Sequence, residues 1–192
     1  MEPFRPTRGG GVKAWLAAPE ASLLRSLVGQ VLTLIAPDGD TPKATSWNNV
    51  ADLEALLDTP PGKQGPAEEP STPDDPVLAR LLPDGYRDDP DAAGEFRKYT
   101  EPGLRSTKQQ AALQMLDSLP DAGGRIQLTQ EQAQAWLKAL NDVRLALGVR
   151  LDVTEDFEQQ WTKLNRDDPQ WAAYEVYAWL GAVQESLVQA LA

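Results

Sequence analysis

The chain has 192 residues, long enough for one domain with an apolar core, and its formal net charge is −11 at pH 7. It contains no cysteine and no histidine, which excludes disulfides, thiol nucleophiles, zinc sites built from Cys or His, and imidazole bases. A carboxylate-bound Mg²⁺ or Ca²⁺ or a pair of catalytic acids stays open, whereas the EF-hand, P-loop and G-x-G-x-x-G motifs are missing.

The negative charge is concentrated between Asp52 and Asp91, where eleven acidic residues stand against three basic ones. An acidic protein repels phosphate backbones, so the charge disfavours nucleic acid as a partner while leaving it open. Two groups of basic residues are candidates for a local positive patch. The first is Arg5, Arg8 and Lys13, and the second is Arg97, Lys98, Arg105 and Lys108.

The N-terminus lacks the basic and apolar pattern of a signal peptide, and the longest apolar stretches are too short to span a bilayer. We therefore expect a cytoplasmic protein without membrane contact. The absence of cysteine agrees with a reducing compartment, and no motif indicates a cofactor.

The first elements in chain order are a hairpin and a helix. Residues 4–8 and 12–16 predict two strands joined by a glycine turn at 9–11, which lacks the Lys-Ser/Thr of a phosphate loop. A helix is predicted from about Pro19 to before Pro37. Its buried stripe comprises Leu24, Leu27, Val28, Val31 and Ile35.

A short amphipathic segment at about 50–57 precedes an acidic, proline-rich loop at about 59–76, which holds six prolines in eighteen residues. Such a composition cannot bury a core, so a solvated linker is the favoured interpretation. A docking segment for a partner is the alternative.

The tripeptide Asp-Asp-Pro occurs at 74–76, 88–90 and 167–169, each time before a helical pattern. The second aspartate is predicted to be an N-cap, with the proline at the first helical position. Carboxylate clusters for a divalent ion are the alternative, but only capping explains the prolines. The predicted caps are Asp75, Asp89 and Asp168.

The pattern from 90 to about 119 is helical with a kink or break at Pro102. Its inward stripe is Ala112, Met115, Leu116 and Leu119. A short extended segment at 125–128 follows, and Thr129 with Gln132 predicts a capping box for the next helix.

That next helix is predicted to end at Gly148, followed by a strand at 149–153 that pairs with 125–128 or with the hairpin. Thr154 is predicted to cap a helix that ends near Leu164. Asp168 is predicted to cap the last one, at 169–191, whose apolar stripe is Val176, Leu180, Val183, Leu187 and Leu191.

The helix containing residues 136–151 holds polar residues within an apolar pattern. At 100° per residue, Trp136, Leu140, Val143 and Leu147 form the core stripe. Asp142 and Arg144 point about 160° apart and cannot form one catalytic pair on this helix. Arg144 lies beside the stripe and needs an acceptor from another element, for which Glu95 and the acids around 80–83 are candidates.

A structural clamp by Arg144 is the favoured interpretation, and a partner or anion site is the alternative. No catalytic or metal-binding residue is predicted. Asn141 is expected to cap backbone groups of a neighbouring loop, and Trp136, Trp171 and Trp179 to anchor the core or an interface. The candidate partner or anion residues are Arg80, Arg97, Asn141, Arg144 and Arg150.

Four blocks together resemble the actinobacterial family of unknown function DUF2017: RLLPDGYRDD at 80–89, EFR at 95–97, Lys108, and WLKALNDVRLALGVRL at 136–151. The resemblance covers nearly the whole chain. Genes of that family often lie beside Clp adaptor and sulfur-metabolism genes, and some members are described as oxidative-stress transcriptional regulators. The resemblance implies a regulator, but a thiol switch cannot be carried over to a chain without cysteine.

These observations predict a mainly α single domain, residues 1–192, of five to six helices with a small two- or three-stranded β element. The leading functional hypothesis is a non-enzymatic regulatory or adaptor domain that binds an unknown protein partner. A transcriptional regulator contacting DNA or RNA polymerase and a carboxylate-based, metal-dependent enzyme are the alternatives. A homodimer through the C-terminal helix is a further option.

Overall fold

Six helices and three strands make up the part of the chain that the structure, a computed structural model, describes: residues 1–36, 73–86, 89–165 and 168–192. In chain order they are β1 Glu2–Pro6, β2 Val12–Leu16, α1 Ala18–Ile35, α2 Pro76–Leu81, α3 Pro90–Ser118, β3 Gly124–Leu128, α4 Gln130–Arg150, α5 Phe157–Lys163 and α6 Pro169–Leu191. This architecture confirms the predicted fold class. The predicted segment at 50–57 and residues 59–72 of the proline-rich loop lie outside the described residues.

The three strands form one antiparallel sheet in the order β1-β2-β3. Alternation along β2 buries Val12, Ala14 and Leu16 while Lys13 and Trp15 face outward. The chain enters β3 through Gly123, which has a φ of 76° and passes so close to α1 that a Cβ would lie 2.5 Å from the backbone nitrogen of Ala18. The predicted hairpin is confirmed, and β3 pairs with its second strand, β2, a pairing that was not predicted from the sequence.

Helix α4 occupies the centre of the molecule, packed against α3, α6, α2 and α1. The predicted stripe is confirmed, since Trp136, Leu140, Val143 and Leu147 are all buried. The indole Nε1 of Trp136 donates to Ser118 Oγ at 2.7 Å, so the polar atom of this buried side chain is satisfied. The inner face of the sheet covers one side of this core, where Phe4 meets Trp136 edge-on with ring centroids 5.8 Å apart.

All three predicted aspartate caps are present. Asp75 Oδ1 accepts from the backbone nitrogen of Val77 at 2.7 Å, and Asp89 and Asp168 accept from backbone nitrogens in the first turns of α3 and α6. The capping box formed by Thr129 and Gln132 is confirmed as well. These local patterns predict helix starts because both capping partners are neighbours in sequence.

The predicted stop at Gly148 and the strand at 149–153 are wrong. Helix α4 continues through Gly148 to Arg150, and the chain then turns at Asp152, which has a φ of 50°. A Cβ on Gly148 would lie 3.4 Å from the ring of Tyr177 in α6. The glycine therefore lies inside α4, facing Tyr177 of α6, and does not end the helix.

Two other helix boundaries differ from the prediction. Of the kink or break predicted at Pro102, the break is wrong: helix α3 continues through this residue, because the proline is exposed and water can satisfy the carbonyl that loses its helical donor. Helix α5 begins at Phe157, with Asp156 rather than Thr154 at the N-cap position. The hydroxyl of Thr154 instead accepts from the backbone nitrogen of Asp156 at 3.3 Å, in the turn before the helix.

Candidate functional site

Four charged residues of helix α3 lie on the face that points into the protein. Arg97, Glu101, Arg105 and Lys108 follow each other at helical spacing and share that face, and their side chains are only 5 to 19% exposed. Charges in such a position are costly unless each has partners, so their contacts define the site. We call these four residues the charged seam.

Arg97 contributes the most buried charge of the seam. Its guanidinium donates to Glu101 Oε2 at 2.7 Å and to the carbonyl of Leu82 at 3.2 Å, and it pairs with Asp84 in the loop after α2. Burial works to lower the pKa of Arg97, but the two carboxylates outweigh it and the pKa is raised. The cavity beside it, about 20 Å³, has room for one water molecule rather than for a substrate.

Glu101 and Arg105 connect the seam to the end of α1. Arg105 Nε donates to Glu101 Oε1 at 2.7 Å, and its Nη1 donates at 3.1 Å to the carbonyl of Ile35, one of the unsatisfied carbonyls at a helix C-terminus. Burial works to raise the pKa of Glu101, but the hydrogen bonds from Arg97 and Arg105 lower it below its usual range.

Lys108 joins the seam to the central helix. Its Nζ donates to Asp142 Oδ1 at 2.6 Å, and Asp142 is only 5% exposed. Burial raises the pKa of Asp142, and the ammonium of Lys108 offsets this effect only in part. The pair is therefore a structural ion pair whose carboxylate is held in its charged form at a cost.

Sequence reasoning missed this seam. The angular separation of Asp142 and Arg144 predicts that they have different partners, and this is confirmed. The partner of Asp142 is Lys108, a member of the second candidate basic patch. Arg97, Arg105 and Lys108 of that second candidate patch are turned inward, and only Lys98 is exposed. The spacing of four charged residues along one face of α3 was the available signal.

Arg144 has no acidic partner among the described residues, and, contrary to the expectation, neither Glu95 nor the described acids around 80–83 contact it. Its Nη1 donates to the amide oxygen of Gln184 at 2.7 Å, and its guanidinium lies over the ring of Tyr177, 5.3 Å from the centroid. Both partners belong to α6. Arg144 thus clamps α4 to α6, as the structural interpretation predicts.

The other candidate residues lie in separate parts of the molecule. Arg150 Nη2 donates to Asp75 Oδ2 at 3.3 Å and so ties the end of α4 to the cap of α2. Arg80 on α2 is exposed, and Asn141 on α4 is exposed without a side-chain hydrogen bond among the described residues. The five residues do not converge on one site, and a partner or anion role for them stays a prediction.

Two absences hold for the described ranges only. Within them, no group of three or more acidic side chains is arranged to hold a metal ion. None of their helices combines the length and apolar character that crossing a bilayer requires.

Together the fold and the site define a small helical domain with a minor sheet, in which buried charged side chains connect neighbouring helices. The sequence model of a domain of unknown function, DUF2017, matches residues 1–191. The chain belongs to this family. It is 37% identical over 196 residues to the proteins named oxidative stress regulator AosR in Mycobacterium tuberculosis and Mycobacterium bovis, covering 95% of this chain and 83% of each relative. No solved structure matches the chain.

Proposed function

We propose that the chain is a regulatory domain of the cytoplasm that acts by binding another protein through the outward face of α3. The name of the mycobacterial relatives, oxidative stress regulator, supports the regulatory role. Between Tyr99 and Gln114, α3 has its charged residues on the inward face and only uncharged residues exposed on the outward face, and this is the single observation that supports the binding role.

The outward face of α3 is free of charge over 16 positions. Every exposed residue from Tyr99 to Gln114 is uncharged, in a chain of which 24% is charged and whose net charge is −11. Soluble surfaces are normally rich in charge, so such a strip supports the proposal of an interaction surface here. The exposed residues of this neutral strip are Tyr99, Thr100, Pro102, Gly103, Leu104, Ser106, Thr107, Gln110, Leu113 and Gln114.

Large apolar side chains stand on and beside the neutral strip. Tyr99 is 75% exposed and Leu113 is 47% exposed. At the N-terminal end, Tyr86 and Phe96 meet edge-on at 5.7 Å and are both about half exposed. Tyr and Phe are typical anchors of protein interfaces, because they bury much area for few lost rotamers.

The regulatory signal cannot be a thiol switch in this chain, because it contains no cysteine. We expect regulation to depend on whether the partner is bound to the neutral strip.

A photo-cross-linker tests the proposal. The full chain is expressed in its host with p-benzoylphenylalanine at position 99, and a matched chain has it at position 134, where Gln134 is exposed on α4. We expect one discrete cross-linked protein from position 99 and none from position 134. The purified partner should then bind the chain, and Leu113→Glu should weaken binding at least about tenfold with an unchanged circular dichroism spectrum. Equal cross-linking from both positions, or none from position 99, would contradict the proposal.

A further inference from the structure

The outer face of the sheet combines positive charge with an exposed tryptophan. Alternation along the strands turns Arg5, Lys13, Trp15 and Arg125 outward, and all four are exposed. Arg8, in the hairpin turn, is exposed as well. We call this surface, with Arg5, Arg8, Lys13, Trp15 and Arg125, the basic sheet face.

The four cations of this face differ from the basic side chains of the helices, several of which have hydrogen-bond or ion-pair partners. Ion pairs and hydrogen bonds engage six basic side chains of the helices: Arg25, Arg97, Arg105, Lys108, Arg144 and Arg150. Among the described residues, none of these interactions involves the four cations of the basic sheet face. One outward acid, Glu2, shares the strands with them. The face is therefore locally positive in a chain of net charge −11.

Trp15 lies among these cations and is 48% exposed. It pairs across the strands with Arg125, and such directly opposed residues have Cβ atoms about 5 Å apart. Lys13 lies two residues earlier on the same face, about 7 Å away along the strand. A flat ring stacked on Trp15 would thus have a positive group on two sides.

We propose that the basic sheet face binds single-stranded nucleic acid, with a base stacked on Trp15 and neighbouring phosphates held by Lys13, Arg125 and Arg5. Stacking on an exposed aromatic beside cations that follow the backbone is how sequence-tolerant single-strand binding works. A peptide made only of acidic residues would satisfy the cations but offers no ring for Trp15. This inference is independent of the neutral strip and of the function proposed for it.

Binding of a labelled oligothymidylate of about twelve nucleotides, followed by fluorescence anisotropy at about 50 mM salt, tests the proposal. We expect binding that weakens with salt, with a slope of log K against log salt of about −2, as three phosphate contacts on a single strand predict. The double variant Lys13→Glu/Arg125→Glu should bind at least about tenfold more weakly, and Trp15→Ser likewise. Trp15→Phe, which keeps an aromatic ring, should recover part of the loss.

The matched control, Lys98→Glu/Lys138→Glu, reverses two exposed cations on α3 and α4. It changes the net charge equally and should alter the affinity about twofold at most. Unchanged circular dichroism spectra establish that all variants are folded. No binding at low salt, equal loss in both double variants, or equally tight competition by a polyglutamate peptide would each overturn the proposal.

Discussion

Single residues in α3 and α4 show how a helix can predict the direction of a side chain but not its partner. The helical wheel places Asp142 away from the apolar stripe that contains Trp136, and this predicted direction is correct. That side of α4 is nevertheless covered by α3, so the carboxylate is buried against Lys108. Arg144 likewise lies beside the core as predicted, but its acceptor is an amide of α6.

Glu101→Gln tests the charged seam. We expect it to lower the free energy of unfolding by about 2–3 kcal/mol at pH 7, because two partly buried guanidinium groups lose the carboxylate they share. Urea unfolding measures the change. Glu175→Gln, which alters an exposed glutamate of α6, is the control and should change stability by less than about 0.5 kcal/mol.

The pH dependence of this contribution has a definite sign. Because the folded-state pKa of Glu101 lies below its unfolded value, its stabilisation is present above the unfolded pKa of about 4.3 and is lost as the pH falls through the folded pKa. The difference between wild type and Glu101→Gln should therefore shrink in acid. A difference that stays constant down to the acid transition would contradict this account of the seam.

Asp142 predicts the opposite pH dependence. Its folded-state pKa lies above the unfolded value, so its contribution is fully present below the unfolded pKa of about 3.9 and is lost as the pH rises through the raised pKa. Asp142→Asn should remove this part of the decline in stability as the pH rises above that unfolded value. Urea unfolding across this range measures it.

An exposed carboxylate provides the control for this experiment. Asp117→Asn removes an exposed acid of the same helix pair and should leave the pH profile of stability close to that of wild type. If Asp142→Asn also left the profile unchanged, burial of Asp142 would not perturb its titration.

At the scale of elements, four helix starts are predictable from sequence, whereas the start of α5 and the end of α4 are not. The three Asp-Asp-Pro caps and the capping box at Thr129 depend on residues within one turn, so they can be recognised in sequence. Gly148 has the residue type of a helix stop, but its role depends on Tyr177 of α6, which is distant in the chain.

Two glycine substitutions separate these roles. Gly148→Ala should raise the free energy of unfolding by about 0.5–1 kcal/mol, because this glycine is helical and its added Cβ only reaches contact distance from Tyr177. Gly123→Ala should lower it by more than about 1 kcal/mol, because φ is positive there and the Cβ would clash with the backbone of Ala18. Chemical denaturation measures both. A destabilised Gly148→Ala chain would mean that Tyr177 cannot give way.

Over the whole molecule, charge is sorted by position. Among the described residues, several basic side chains are largely buried between helices, whereas most acidic side chains are exposed. Two surfaces depart from this acidic exterior: the neutral strip of α3 and the basic sheet face. We propose that the neutral strip binds a protein and that the basic sheet face binds single-stranded nucleic acid.

This distribution predicts that salt stabilises the protein. Raising NaCl from about 20 mM to about 300 mM should raise the free energy of unfolding, because it screens repulsion between exposed acids more than it screens the buried pairs of the charged seam. Thermal unfolding at constant pH measures the effect. A melting temperature that falls with salt would mean that exposed ion pairs dominate the electrostatic contribution.

The sequence by itself determined the fold class, the hairpin, the core stripes, four of the five predicted helix caps and the family, because each rests on near neighbours, on periodicity or on a contiguous motif. Tertiary structure alone decided that the N-terminal half of α3 buries charged residues, that Lys108 meets Asp142, that Arg144 meets Gln184, and that Arg125 joins the cations of the hairpin. The physical reason is that burial and partner choice depend on residues distant in the chain. Their proximity arises only when helices and strands pack together.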